Sequence, residues 1–315
     1  MTRRDHGGGL DQAIARYGGR RADWLDLSTG INPDPYPVPE FSNRLWGALP
    51  DHAASDALST AARACWKVPN DADILAAPGA SALIAALPSL WPRSSVQITA
   101  PTYNEHAAAF RNWGWTVTQS RAETRVIVHP NNPTGALWDG RGHSRFLVID
   151  ESFCDPLPEA SQIARATTPG VVILKSFGKF WGLAGLRLGF AIGHPDTIAP
   201  LRARLGPWAV SGPALALGAE ALADADWIKA TRARLARDSA RLAQMLSRAG
   251  AENLGGTPLF RLASVPDAGR SAEYLAGNHR ILVRVFPYSR NWLRFGLPAG
   301  ERAWQRLQRA LDAWP

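Results

Sequence analysis

Apolar positions along the chain follow two spacings that alternate. Short apolar runs of strand length occur at Ser95–Pro101, Arg125–Val128, Arg145–Asp150, Val171–Leu174 and Gly189–Gly193. Segments of helical spacing lie before and between them. Ser55–Lys67 places Leu58, Ala61, Ala62 and Cys65 on one side, an Ala-rich helix follows Pro78-Gly79, and another runs through Phe110 and Trp113. His194-Pro-Asp-Thr197 reads as a helix start. Strand alternating with helix from about residue 70 to about residue 195 predicts an α/β fold, with a largely parallel sheet covered on both faces. Beyond it, Trp208–Pro213 reads as a turn before a long helical region that ends at Gly250. Gly255–Ala263 and Arg280–Phe286 read as strands of a second sheet, Trp292–Gly296 as a third strand, and Trp304, Leu307 and Leu311 as the apolar stripe of a closing helix. The tail is therefore expected to form a smaller α+β unit.

Composition narrows the class. The 315 residues, 46% hydrophobic and 20% charged, suit a globular protein of one large domain or two moderate ones. No apolar run reaches transmembrane length, and the first residues lack the apolar centre of a secretory signal, so no membrane role and a cytoplasmic location are expected. Cys65 and Cys154 are the only cysteines, which argues against a disulfide framework and against a Cys-rich metal site, and no metal is expected. The net charge is +8 and arginine far outnumbers lysine. These arginines are dispersed through helical segments with no nucleic-acid-binding motif beside them, so no nucleic-acid partner is expected. A positive field also helps to attract an anionic substrate.

Candidate chemistry sits at the ends of the predicted strands. Lys179 follows the Val171–Leu174 strand among small and apolar residues, a setting that disfavours an ammonium and suits a lysine that attacks an aldehyde. Arg187 lies eight residues on, among glycines that allow close backbone approach. The Arg125–Val128 strand runs into His129-Pro-Asn-Asn-Pro-Thr-Gly135, the kind of loop that carries functional groups. Asp150 ends its strand and either caps the next turn or offers a carboxylate to a ligand. Gly79-Ala80-Ser81 opens a helix, where free N–H groups and a hydroxyl can meet an anion. Tyr103 is either core filler or a stacking surface.

Taken in chain order, these stretches resemble the cofactor site of fold-type-I enzymes, the aminotransferase-like family that uses pyridoxal 5'-phosphate (PLP). The family motif Ser-x-Ser/Thr-Lys followed by Gly-Leu-x-Gly-x-Arg-x-Gly is matched by Ser176, Lys179, Gly185, Arg187 and Gly189, with Gly178 in place of the usual hydroxyl residue. Asn-Pro-x-Asn-Pro-Thr-Gly is matched at Asn132, with His129 in place of the first Asn. The resemblance implies a large PLP-binding domain and a smaller α+β domain. The expected boundaries are residues 1–45 for an N-terminal arm, 46–205 for the large domain and 206–315 for a long helix and the small domain. It implies Lys179 as the residue that holds the cofactor aldehyde, Asp150 as partner of the ring nitrogen and Asn132 as partner of the ring oxygen. Tyr103 would stack on the ring, and Gly79, Ala80, Ser81, Ser176 and Arg187 would complete the cofactor site. Phe153 stands where most aminotransferases carry Tyr, so Asn132 would meet the ring oxygen alone. A homodimer is implied too, with Leu49-Pro-Asp51 in place of the Tyr-Pro-Asp segment that reaches the neighbour's cofactor.

Two subfamilies are closest: histidinol-phosphate aminotransferases and the L-threonine-O-3-phosphate decarboxylases of cobalamin biosynthesis. The opening His6-Gly-Gly, the segment from Asp26 to Pro33, Phe153 and Phe180 are similar to the decarboxylases. That resemblance implies a small phosphorylated amino acid as substrate, with Arg294 on its carboxylate, Arg284 and His6 on its phosphate, and Asn132 also touching it. The sequence leaves open whether Cα loses CO2 or a proton.

Overall fold

The computed structural model describes residues 6–142 and 144–314; the first five residues of the expected arm lie outside the described residues. In chain order the elements begin with α1 (Leu10–Tyr17), β1 (Leu25–Asp26), α2 (Asn43–Gly47) and α3 (His52–Trp66). Next come β2 (Asp73–Ala77), α4 (Ala80–Ala86), β3 (Ser95–Ile98), α5 (Asn104–Asn112), β4 (Thr116–Thr118), β5 (Thr124–Val128), β6 (Phe146–Asp150), β7 (Val171–Ser176) and β8 (Gly189–Gly193). Three helices follow, α6 (Pro195–Leu205), α7 (Gly212–Ala223) and α8 (Ala225–Arg248). The chain ends with β9 (Glu252–Thr257), β10 (Phe260–Ser264), α9 (Ala268–His279), β11 (Ile281–Leu282), β12 (Arg284–Val285), β13 (Trp292–Gly296) and α10 (Gly300–Asp312).

These elements form two compact units. One comprises Pro35–Asn132 and Leu137–Thr231; the other comprises Met1–Asp34, Pro133–Ala136 and Arg232–Pro315. The divisions at 34/35 and 231/232 differ from the expected 45/46 and 205/206. The reason on the C-terminal side is packing: α7 lies against α3 so closely that a Cβ on Gly218 would come within 2.9 Å of Leu58 and 2.6 Å of Leu188.

The larger unit is built on a seven-stranded sheet of order β2-β8-β7-β6-β5-β3-β4. All neighbouring pairs are parallel except those of β8, which runs antiparallel to both β7 and β2. β7 and β8 are buried without alternation because helices cover both faces of the sheet. Val148, Val172, Leu174 and Ala191 from the strands pack with Leu83, Phe110 and Leu201 from α4, α5 and α6. Register aligns Val128 with Asp150 and Asp150 with Leu174, so the loops leaving β5, β6 and β7 emerge at one edge. That is where open α/β sheets bind ligands.

The smaller unit has an antiparallel sheet of order β12-β13-β10-β9 and a two-stranded parallel pairing of β1 with β11. Three sequence expectations are corrected here. Gly255–Ala263 is a hairpin rather than one strand: Gly255 and Gly256 hold φ of 138° and 142°, and the backbone N–H of Leu259 closes the turn on Thr257 Oγ1. Arg280–Phe286 is not one strand either. Arg280 is the left-handed C-cap of α9, and the chain then leaves its pairing with β1 to join β13. The single long helical region ending at Gly250 is two helices, because Asp224 accepts from the backbone N–H of Trp227 and starts α8 afresh. The His6–Gly9 stretch of the expected N-terminal arm leads directly into α1, whose Leu10 and Ala13 pack on Trp24 and Ala276.

Candidate active site

In the larger unit, every cofactor residue expected from the sequence lines one cavity of about 680 Å³, counting its solvent-open mouth. Gly79, Ala80 and Ser81 enter from the start of α4, Tyr103 from just before α5, and Asn132 from the loop after β5. Asp150 and Ser176 close β6 and β7, while Lys179 and Arg187 come from the loop between β7 and β8. Among the described residues, no group of His, Cys, Asp and Glu side chains is arranged to hold a metal ion.

Close approaches fix this cavity. A Cβ on Gly79 would lie 2.5 Å from Arg187 Nη2, and one on Gly189 would lie 2.3 Å from the backbone N of Ala80. Only glycine lets the Arg187 guanidinium and the start of α4 share this corner. Arg187 itself takes the left-handed conformation, φ 55°, and donates from Nη1 to Ala184 O at 3.1 Å. Gly178, the departure from the family motif, has a structural cause: a Cβ there would come within 2.9 Å of Ala184 Cα. Lys179 Nζ stands 5.5 Å from the centroid of the Phe153 ring.

Asp150 is a carboxylate locked in place. It is 2% exposed, and Oδ2 accepts from His106 Nε2 at 2.8 Å. Oδ1 accepts from the Ser152 backbone N–H at 3.0 Å and from its hydroxyl at 2.5 Å. Burial pushes its pKa up, but the hydrogen bonds and charge of His106, with those of Ser152, outweigh it and hold the group below the usual carboxylate range. The sequence reading missed both partners. Ser152 was visible as Asp-x-Ser, a local pattern for a hydroxyl that bonds two residues back. His106 is one turn beyond Tyr103, and the Tyr103–His106 ring contact at 6.0 Å follows from that spacing.

Two further buried groups surround the strand ends. His129 is 1% exposed; its Nδ1 accepts from the Trp138 backbone N–H at 2.9 Å and its Nε2 donates to Ala160 O at 2.7 Å. These two bonds fix the orientation of the ring, which brackets the loop carrying Asn132. Lys175, next to Ser176, is buried and ion-paired with Glu151 at 2.7 Å and Asp155 at 3.4 Å. Burial works to lower the Lys175 pKa, but Glu151 and then Asp155 raise it well above the ordinary lysine value. Asp155 also accepts from Trp66 Nε1 at 2.8 Å. Phe180 does not line the cavity; it packs edge-on against Trp181 and Trp227.

Three of the expected substrate residues, His6, Arg284 and Arg294, belong to the smaller unit, while Asn132 belongs to the larger one. Arg284 on β12 and Arg294 on β13 are direct cross-strand partners, which puts both side chains on one face of the sheet. Arg294 is buried, donates from Nη2 to Ser28 O at 2.8 Å, and lies 5.0 Å from the Phe260 ring centroid. His6 is exposed, one residue before Gly7, which rests against Ser28. Asp51, the last residue of the Leu49-Pro-Asp51 segment, caps α3 by accepting from the Ala54 N–H at 2.9 Å.

Comparisons with known proteins identify the family and the fold. The sequence profile of Aminotransferase class I and II matches residues 24–313. A threonine-phosphate decarboxylase of Pseudomonas aeruginosa is 39% identical over 327 aligned residues, covering 98% of this chain and 97% of that protein. Another, of a Sinorhizobium species, is 40% identical and covers 97% of each chain. Among solved structures, the histidinol-phosphate aminotransferase of Sinorhizobium meliloti in complex with pyridoxal-5'-phosphate superposes with a TM-score of 0.78 at 18% identity, covering 96% of this chain and 93% of that one. At that identity the likeness speaks for the fold.

Proposed function

The chain belongs to the aminotransferase class I and II family, and within it we propose that this enzyme decarboxylates L-threonine O-3-phosphate to (R)-1-aminopropan-2-yl phosphate, a step of cobalamin biosynthesis. It is a PLP-dependent lyase with the fold-type-I architecture. The cavity fits that cofactor: a corner that any Cβ would fill pairs helix N–H groups with Arg187 for a phosphate, a locked carboxylate faces inward, and one lysine stands between them. Bound PLP supplies an electron sink for the pair left at Cα when a bond there breaks.

The residues divide the work as follows. Gly79, Ala80, Ser81, Ser176 and Arg187 hold the cofactor phosphate. Asp150, kept ionised by His106 and Ser152, keeps a proton on the ring nitrogen. Asn132 meets the ring oxygen and, on its other side, the substrate; Phe153 offers that oxygen no bond. Tyr103 stacks on the ring. Lys179 would hold the cofactor aldehyde, and its amine would be the group in the cavity able to carry a proton to Cα. Arg294 binds the substrate carboxylate, while Arg284 and His6 bind its phosphate. Gripped at its two anionic groups, the substrate would be restrained from rotating about its N–Cα bond, which would favour loss of the carboxylate.

The observation that carries the substrate assignment is the Arg284–Arg294 pair. Two guanidiniums opposite each other on one sheet face suit a molecule with two anionic groups. The two threonine-phosphate decarboxylases, similar over nearly the whole chain, support it. The test is to incubate the PLP-loaded protein with O-phospho-L-threonine. CO2 and the aminopropanol phosphate are expected without any 2-oxo acid. Transfer of the amine to 2-oxoglutarate without CO2 would instead make it an aminotransferase of the histidinol-phosphate type.

The enzyme works as a cytoplasmic homodimer in this reading; no helix among the described residues is long and apolar enough to cross a membrane. Support for the dimer comes from Val38, Trp46, Leu49 and Trp208, large apolar side chains left 60% to 68% exposed in the larger unit. Sedimentation should give twice the chain mass, and Trp46→Glu should shift it toward the monomer; an unchanged dimer in that variant would place the interface elsewhere.

A further inference from the structure

Ser28 is 2% exposed and uses all of its polar atoms within the smaller unit. Its backbone N–H and its hydroxyl both donate to Asp26 Oδ1, at 2.8 and 2.6 Å. Its Oγ accepts from the Gly8 backbone N–H at 2.7 Å. Its carbonyl accepts from Arg294 Nη2 at 2.8 Å. The same carbonyl is where the N-terminal stretch touches down: a Cβ on Gly7 would lie 2.3 Å from Ser28 O and 3.3 Å from Ser28 Oγ. One residue therefore registers two things at once, the guanidinium of Arg294 and the backbone that carries His6.

We infer that Ser28 is a specificity-determining positioning residue, which sets His6 against Arg294 so that carboxylate and phosphate recognition are fixed on one anchor. The inference rests on the substrate reading above. Gly7 has to be glycine for this contact, because a side chain would lift the backbone off the carbonyl. Asp26 orients the Ser28 hydroxyl so that its lone pair faces Gly8 N–H. In Ser28→Ala the carbonyl bond to Arg294 remains and the exposed Gly8 N–H can turn to water, so what is lost is the order of the His6 stretch and not the fold.

The test uses the full-length holoenzyme. With O-phospho-L-threonine, Ser28→Ala should raise KM about 10-fold, the worth of about one hydrogen bond, while kcat stays within about twofold. Ser28→Thr, which keeps a hydroxyl, should restore KM. Gly7→Ala should match Ser28→Ala. The double variant His6→Ala/Ser28→Ala should have the KM of His6→Ala alone, because a residue acting through His6 adds nothing once it is gone. Hydrogen exchange without substrate should show amides 7–9 faster in Ser28→Ala and unchanged elsewhere. A KM in Ser28→Ala equal to wild type, or effects that multiply in the double variant, would overturn the inference. If wild type does not decarboxylate phosphothreonine, the substrate reading falls, and the exchange measurement still decides the anchor: unchanged amides 7–9 would refute it.

Discussion

The cofactor cavity and the arginine face are built on opposite plans. The cavity gathers residues from consecutive strand ends of one covered sheet, and its ionised group is locked: Asp150 is buried and spans His106 and Ser152. The arginine face lies on a small antiparallel sheet, with Arg284 half-buried on a two-residue strand and Arg294 steadied by a carbonyl from far away in sequence. The first plan suits a group that stays bound through every turnover, since geometry once set need not change. The second suits a ligand that arrives and leaves, where recognition comes from charge and paired N–H donors on a surface.

Variants can separate the two plans. The largest effect is expected on the cavity side. Lys179→Ala should reduce decarboxylation by about 10⁴-fold or more, because the amine proposed to hold the cofactor is lost. Borohydride reduction followed by peptide mapping should then fix no cofactor on residues 175–187, whereas wild type is labelled at Lys179. Labelling that persists in the variant would remove Lys179 from its role. On the arginine face, Arg284→Ala should raise KM for phosphothreonine by about 10²-fold, about 2.7 kcal/mol, while leaving the weak reaction with threonine unchanged. Equal losses on both substrates would mean that Arg284 does not read the phosphate.

A smaller effect should follow from His106→Phe, about 10-fold in kcat, with cofactor affinity little altered. Its signature is in pH. His106 helps hold Asp150 below the usual carboxylate range. Without it, burial raises the Asp150 pKa, so the acid limb of the rate profile should move to higher pH. The wild-type stability due to this depressed group is present above an ordinary Asp pKa of about 3.9 and is lost as pH falls through the lower folded value; the variant should lose less there. An acid limb that does not move would separate His106 from Asp150. The smallest effect concerns Tyr36, whose phenol is pushed up to about 12 by burial and by the neighbouring carboxylates Asp224 and Glu220. Stability tied to its proton is complete below the ordinary tyrosine value of about 10 and falls as pH rises through about 12. Tyr36→Phe should flatten the decline of Tm over that alkaline range, and a decline of wild-type steepness would exclude this phenol as its source.

The same contrast explains what the sequence could and could not reveal. The cavity was legible because each contribution is a short linear motif at a strand end: Asn132 after β5, Asp150 closing β6, Lys179 after β7. Its residues are near neighbours in sequence of the strands that carry them. The supports were less legible. His106 looks like any helical histidine until the fold brings it to Asp150, 44 residues away. Ser28 and Arg294 are 266 positions apart, so nothing local announces their bond. The two glycines at 255 and 256 did carry a signal for the hairpin, but the apolar residues after them read as one continuous strand. Arg280 and Asp224 were hidden for a related reason: an arginine in left-handed conformation and an aspartate that restarts a helix are chosen by tertiary context over propensity.

The buried pairing of Lys175 has a consequence for chemical selectivity. The chain has only four lysines, Lys67, Lys175, Lys179 and Lys229, and two of them lie four residues apart beside the same strand end. A carbonyl compound reacts with an amine only through a free lone pair. Lys175 is sealed from solvent and kept as an ammonium by Glu151 and Asp155, so it has no lone pair to offer. Arginine supplies nearly all the remaining positive charge, and a guanidinium is no competitor under these conditions. Within the core of the enzyme, an incoming aldehyde therefore meets a single amine able to react with it.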